Sequence, residues 1–361
     1  MVEAQMQYHV IMSHLKKIKF SGILLCFLII VMVNSQGGAV ETPRERVLVL
    51  HSYYLGFTWT DDITRGINKA FAQWAGNVEL HYEFMDAKRH PETDYLKSLN
   101  ELYQLKYPVG TIDLIICSDD LALTYLLTTG AQLFPNVPVV FCGVNDYDIS
   151  MHDQGRPLTG VIERIDPAST LDIALKLQPN TRRIAIITDS TRTGRAIHAT
   201  VRNTFRKYAD RLEFSYLYDL TAEELQQEVA KLSDETVLFF FVFNRDRSGE
   251  TFSLMESLKL VVQESRVPIY SFWSLYLGHG IVGGMVTSGQ KQGKAAAELA
   301  IRILEGEKAS EIPVITESPN ELMFDYKQIQ RFSISQDRLP TKSRIINLPG
   351  GFFKKYRKYI W

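Results

Sequence analysis

The sequence has 361 residues, 45% hydrophobic and 22% charged, with 40 basic against 41 acidic residues and a formal net charge of -1. That apolar content is too high for a disordered chain and too low for a polytopic membrane protein, and the length allows one large core or two lobes of roughly 150 residues each. The even charge balance excludes the concentrated basic surface that nucleic-acid binding requires, and equally an acidic tail.

Residues 22–33, GILLCFLIIVMV, carry no charge, follow Lys16, Lys17 and Lys19, and lead into Gly37, Gly38 and Ala39. A basic region, a short apolar run and small residues at its end predict a secretory signal peptide over 1–39, cut after Ala39, and therefore a periplasmic protein. The run is short of the roughly 20 residues of a membrane span, so an uncleaved anchor is the lesser alternative. Beyond it only Cys117 and Cys142 remain, too few for a disulfide framework. Both close apolar runs and are expected as buried free thiols; a bridge between them needs neighbouring strands.

The elements then alternate. Arg46–Leu50 reads as a strand, followed by a helix with Thr60 as N-cap and Ile63, Ile67, Ala70, Phe71 and Trp74 on one face. Strands are predicted at Val78–Phe84, Ile112–Cys117 and Val137–Cys142, with helices at Glu92–Tyr107 and Leu121–Leu133. The pattern restarts with a helix at Asp166–Leu177. Strands Arg183–Thr188, Leu212–Tyr218, Val237–Phe243 and Val267–Phe272 then alternate with helices Gly194–Tyr208, Ala222–Leu232 and Ser248–Glu264. Two such series predict an α/β protein of two doubly wound, Rossmann-like parallel-sheet lobes with a cleft between them.

Ligands of open parallel sheets sit beyond the carboxyl ends of the strands. Those ends supply the candidate binding residues. In the first series they are Ser52, Tyr53, Trp59, Ser118, Asp119, Asn145 and Asp146; in the second, Asp189, Thr191, Thr193, Asn244, Arg245 and Trp273. Asp146, Asp189 and Asp246 suit an amine, Arg192 or Arg245 a carboxylate, and the aromatic rings a flat or apolar group.

At this point the chain resembles the type 1 periplasmic binding proteins, and within them the ABC-type substrate-binding proteins close to the extracytoplasmic sensor domains of histidine kinases. Three stretches carry the resemblance: VLVLHSYYLGFTWTDDITRGI at 47–67, LTGVIERIDPASTLDIALKLQPNTRRIAIITD at 158–189 and GQKQGKAAAELAIRILEGEKASEIPV at 289–314. The resemblance implies a three-segment hinge near Val161–Glu163, Ser288–Gln290 and Ile315–Pro319. Lobe 1 then comprises 44–161 and 290–315, and lobe 2 comprises 162–289 and 318–346. It also implies an amino acid or similar small organic ligand, presented to an ABC permease or a membrane sensor kinase, with no catalysis and no cofactor.

Other motifs have competing readings. Gly278-His279-Gly280-Ile281-Val282-Gly283 matches a dinucleotide fingerprint, but a strand and not a helix is predicted after it, so a tight turn is expected. No His-Glu-x-x-His and no Gly-x-Ser-x-Gly occurs, which leaves neither a metal site nor a hydrolase elbow in the pattern. A periplasmic α/β hydrolase using Ser52, His51 or Asp119 is the enzymatic alternative. Thr191 to Gly194 suits either an anion or plain helix capping. Residues 350–361, basic and aromatic, are expected to contact a membrane surface or a receptor, or to dock as a terminal helix.

Overall fold

The computed structural model describes residues 44–349 except 88 and 91, without the side chains of 152–154; the expected signal at 1–39 and the 350–361 segment lie outside the described residues. In chain order come β1 (Glu45–His51), α1 (Thr58–Phe71), β2 (Val78–Phe84), α2 (Thr93–Lys106), β3 (Leu114–Ser118), α3 (Asp119–Leu127), β4 (Val139–Val144) and β5 (Leu158–Ile162). Then follow α4 (Pro167–Leu177), β6 (Arg183–Thr188), α5 (Arg192–Phe205), β7 (Glu213–Tyr218), α6 (Ala222–Ala230), β8 (Thr236–Phe240), α7 (Leu254–Glu264) and β9 (Ile269–Tyr270). The series closes with β10 (Gly283–Val286), α8 (Gly289–Leu304), β11 (Glu321–Asp325), α9 (Tyr326–Arg331) and β12 (Arg344–Ile346).

Two sheets result. The first has the order β2-β1-β3-β4-β5 and is parallel throughout. The second has the order β12-β11-β10-β9-β8-β6-β7, with β10–β11 its antiparallel pair. Strand alternation assigns the layers. Val47, Val49, Ile116 and Val140 pack with Ile63 and Ile67 of α1 and Ala296 and Ala300 of α8, while Leu48, Leu50, Ile115 and Phe141 pack with Tyr103, Leu123 and Leu126. In the second sheet Ile184, Ile186 and Phe239 meet Leu171, Val201 and Phe205, while Ala185, Ile187 and Phe240 meet Leu225, Leu258 and Val261. Each sheet is therefore a doubly wound lobe with buried faces on both sides.

Helix α8 lies so close to α1 that only glycine fits at the crossing. A Cβ on Gly293 would lie 2.1 Å from Ile63 O, and one on Gly66 would lie 2.2 Å from Gln290 O. This contact returns the chain after β10 to the first sheet. The chain moves on to the second sheet at β11.

Some boundaries differ from expectation for local reasons. Helix α1 begins at Thr58, so Thr60 is inside the helix and is not its cap; Asp61 accepts the Gly56 N–H at 2.9 Å and anchors the first turn. Helix α7 starts at Leu254, not at 248, because Ser253 and Glu256 form a reciprocal capping box and Asp246 ties up the preceding loop. The helix expected over 121–133 stops at Leu127 and continues as a single tight turn, Thr129–Gln132. The Gly278–Gly283 run is a turn leading into β10, as its sequence context implied, and Gly280 abuts Val262 of α7.

Cys117 and Cys142 are buried free thiols on adjacent strands. The register pairs Cys117 with Phe141 and Ser118 with Cys142, so the two thiols belong to opposite faces of the sheet. Burial pushes both thiols up from their ordinary range. Among the described residues no helix is long and apolar enough to cross a membrane.

Candidate functional site

The site is assembled at the carboxyl ends of β1, β3 and β4, at the crossover after β5, and in the loop after β9. At the first of these, Ser52 donates its hydroxyl to Ser118 O at 2.7 Å and accepts the Ala122 N–H at 2.8 Å. It thereby caps α3 from the end of β1, while Ser118 at the N-cap position makes no side-chain cap hydrogen bond. The proton of Ser52 is committed to a carbonyl, so Ser52 and His51 form no nucleophile–base pair. His51 Nδ1 lies 2.9 Å from Ser118 Oγ and Nε2 lies 3.0 Å from Thr64 Oγ1. Burial lowers its pKa to about 4, leaving the ring neutral near pH 7.

Asp119 adopts φ 70°, a left-handed conformation that Asp tolerates better than most residues. Its Oδ1 accepts the Trp59 indole N–H at 2.9 Å and its Oδ2 accepts the Ser118 hydroxyl at 2.9 Å. Trp59, only 4% exposed, is thus a buried buttress for the carboxylate. Gly143 leaves space beside this carboxylate: with φ 66°, a Cβ there would sit 3.0 Å from Asp119 Oδ1. Asp120 Oδ1 accepts the backbone N–H groups of Asn145 and Asp146 at 3.1 and 3.0 Å, fixing the loop after β4 against α3.

Glu163, in the crossover after β5, is 7% exposed. Its Oε1 accepts the Trp273 indole N–H at 2.7 Å and its Oε2 lies 3.5 Å from Asn145 Nδ2. Burial above all pushes its pKa up to about 8, with Asp119 and Asp120 adding repulsion and the Trp273 bond opposing it. The Tyr53 phenol is pushed up by burial and then by the Asp119, Glu163 and Asp120 carboxylates. Tyr53, Asp119, Asp120, Asn145, Glu163 and Trp273 therefore form one acidic, aromatic cluster fed by both lobes.

The second-lobe candidates divide differently. Asp189 is buried and spends one oxygen on Thr191 N–H and hydroxyl, at 3.1 and 2.5 Å, and the other on the backbone N–H of Asn244 at 2.6 Å. Thr191 Oγ1 accepts the Gly194 N–H at 3.1 Å, which is helix capping. Thr193, in the first turn of α5, and Arg245, in the loop after β8, are exposed beyond the carboxyl ends of β6 and β8.

The three chain crossings meet in a polar knot. Gln292 of α8 accepts the Gly143 N–H at 3.1 Å and donates to Ile162 O at 3.0 Å and Ser318 Oγ at 3.1 Å. Asn320 accepts from Thr287 and Ser318 and donates to Arg164 O at 2.9 Å. Sequence reasoning left Glu163, Asp120 and Gln292 out of the site. The only sequence signal for Glu163 is a charged residue directly after the apolar strand Leu158–Ile162.

A family model described as ABC transporter substrate binding protein matches residues 59–342. The chain is 22% identical over 220 residues to a tyrosine-binding protein of Clostridioides difficile, a match spanning 58% of this chain and 62% of that relative. Among solved structures, an ABC domain in complex with L-Trp from Streptococcus pneumonia has TM-score 0.57 and 17% identity, covering 84% of this chain and 100% of that one. A ligand-free, open substrate-binding protein with adhesive properties from Clostridium difficile has TM-score 0.61 and 14% identity, covering 84% and 100%. At these identities the structural likeness concerns the fold.

Proposed function

The chain belongs to the ABC transporter substrate binding protein family, and from that premise we propose that it captures an amino acid or similar small organic ligand between its lobes. The observation that carries this reading is the meeting of Glu163 and Trp273 across the crossover, 2.7 Å apart, beside Tyr53, Asp119 and Asn145. A primary ammonium has three donors, and a group of carboxylates with a phenol and an amide supplies acceptors for them. Trp273 offers the flat apolar contact, and Arg245 with Asn244 on the second lobe suits the ligand carboxylate. The names of two similar proteins, one a tyrosine-binding protein and one holding L-Trp, favour an aromatic side chain.

On this reading lobe 1 comprises 44–161 and 290–315, lobe 2 comprises 162–289 and 318–346, and the knot of Gln292 and Asn320 is the hinge. A ligand touching both lobes favours the closed form by its differential affinity; moving a population from 1:99 to 99:1 takes about 5.5 kcal/mol. The family is typically extracytoplasmic, in keeping with a signal at 1–39. The closed form is then presented to an ABC permease or a membrane sensor.

The test is calorimetric titration of the purified protein with the proteinogenic amino acids, beginning with tyrosine and tryptophan, followed by the Glu163→Gln variant. The reading expects saturable binding of at least one amino acid, weakened in the variant. Absence of binding by every amino acid, with other metabolites also failing to raise the melting temperature, would remove it.

A further inference from the structure

Helix α5 and strand β7 form a second feature, on the outer edge of the second sheet. Between 191 and 209 the chain carries Arg192, Arg195, Arg202, Arg206 and Lys207 and no acidic residue, in a protein whose overall charge is nearly zero. The ion pairs nearby are made by Arg182, Arg183 and Arg247, so among the described residues these five cations have no carboxylate partner.

Beside them lies an unpaired sheet edge. Strand β7 is terminal in its sheet. Glu213 N–H bonds Arg182 O at 3.0 Å, so Glu213, Ser215 and Leu217 turn their backbone groups toward β6. By the alternation of a parallel strand, the backbone N–H and C=O of Phe214 and Tyr216 point outward from the sheet. Natural proteins usually blunt such edges with proline, inward charge or a covering loop. Here six residues, EFSYLY, carry no proline.

A groove of about 670 Å³ runs between the two elements, lined by Ala199, Arg202, Arg206, Leu212, Phe214 and Tyr216. Its rings are held in place: Phe205 stacks on Phe214 at 5.6 Å, and the Arg202 guanidinium lies 5.3 Å over Tyr216. The groove thus has an aromatic floor, a cationic wall and a row of unsatisfied backbone donors and acceptors.

We propose that this edge docks an acidic extended segment of a partner protein, which adds to β7 as a further strand and sets its carboxylates against Arg202 and Arg206. Main-chain hydrogen bonds give such an added strand affinity, while side chains at alternate positions select it. The charge pattern argues for a partner and against a second copy of this chain, because edge-to-edge pairing of two β7 strands would bring like charges together. The proposal is separate from the interlobe ligand reading and stands if that reading fails.

The probe is a fluorescent ten-residue peptide of alternating Glu and Val, titrated by anisotropy into the full chain at low salt. Two controls accompany it: the same peptide N-methylated at alternate residues, in both registers, and vesicles of phosphatidylglycerol. The variant is Arg202→Glu with Arg206→Glu, checked for an unchanged melting temperature. Binding of the plain peptide is expected to weaken about tenfold or more in the variant and to be lost with the N-methylated register that blocks the strand. No peptide binding, equal binding to the variant, or indifference to N-methylation in both registers overturns the proposal. Vesicle binding that depends on the two arginines, without peptide binding, overturns it in favour of an anionic surface.

Discussion

The Trp273 indole N–H donates to Glu163 Oε1 at 2.7 Å, joining the loop after the fourth strand of lobe 2 to the crossover that leaves lobe 1. Trp273→Phe keeps an aromatic ring but removes the donor together with part of the ring's contact area. The hydrogen bond is worth about 1–2 kcal/mol net. The variant is expected to bind its ligand roughly tenfold more weakly with little change in fold. Calorimetry beside a near-ultraviolet spectrum checks both; unchanged affinity would detach this bond from binding.

Glu163 supplies a pH signature. Its folded pKa, about 8, lies above the ordinary 4.5, so the native state holds the proton more tightly than the unfolded chain. The contribution to stability is complete below pH 4.5 and is lost as pH rises through 8. The loss is at most about 5 kcal/mol. Wild type should therefore weaken relative to Glu163→Gln between pH 4.5 and 8, read from denaturant midpoints. A cationic ligand favours the ionised carboxylate, so binding at pH 7 is expected to release up to about one proton. Titration in buffers of different ionisation enthalpy measures it, and an enthalpy independent of buffer would contradict the assignment.

His51 works in the opposite direction. Burial holds its pKa near 4, below the ordinary 6.5, so the unfolded chain takes the proton first. Stability is present above pH 6.5 and is lost as pH falls through 4, by up to about 3 kcal/mol. His51→Gln should flatten that limb of the pH–stability curve. A wild-type curve parallel to that of the variant across this range would show that His51 does not titrate as its surroundings imply.

The α1–α8 crossing predicts a steep size limit. A methyl group at Gly293 would overlap the Ile63 carbonyl, whereas at Gly306 it meets nothing within 4 Å. Gly293→Ala is expected to cost about 1–3 kcal/mol through overpacking. Gly306→Ala, at φ 105°, is expected to cost about 1 kcal/mol from backbone strain alone. Urea midpoints rank the two, and equal losses would place the constraint in the backbone and not in the contact.

Much of the fold is legible in the chain. Runs such as Ile184–Ile187 and Leu114–Cys117 are apolar at every position because both sheet faces are covered, and their alternation with helical periodicities fixes a doubly wound class. The strand ends were legible too, as the points where apolar runs give way to polar residues. What local pattern could not show was which partners each of those polar groups holds. Asp189 and Asp119 look alike in sequence, each following a strand. In the structure both carboxylates are engaged, but Asp189 accepts from its own loop and from the backbone after β8, while Asp119 accepts from Trp59 and Ser118 and lies in the cluster with Tyr53 and Glu163.

The sequence by itself determined the secondary elements, the class of fold and the two buried thiols, because these follow from local periodicity and composition. Tertiary structure decided the cap of α3 and the grouping of the candidate site. The hydroxyl that caps α3 comes from Ser52, 70 positions before the amide it accepts, and the donor that holds Glu163 comes from Trp273, 110 positions away. Hydrogen bonds act over about 3 Å whatever the separation along the chain, so only the packing of both lobes around the crossovers could bring these partners together.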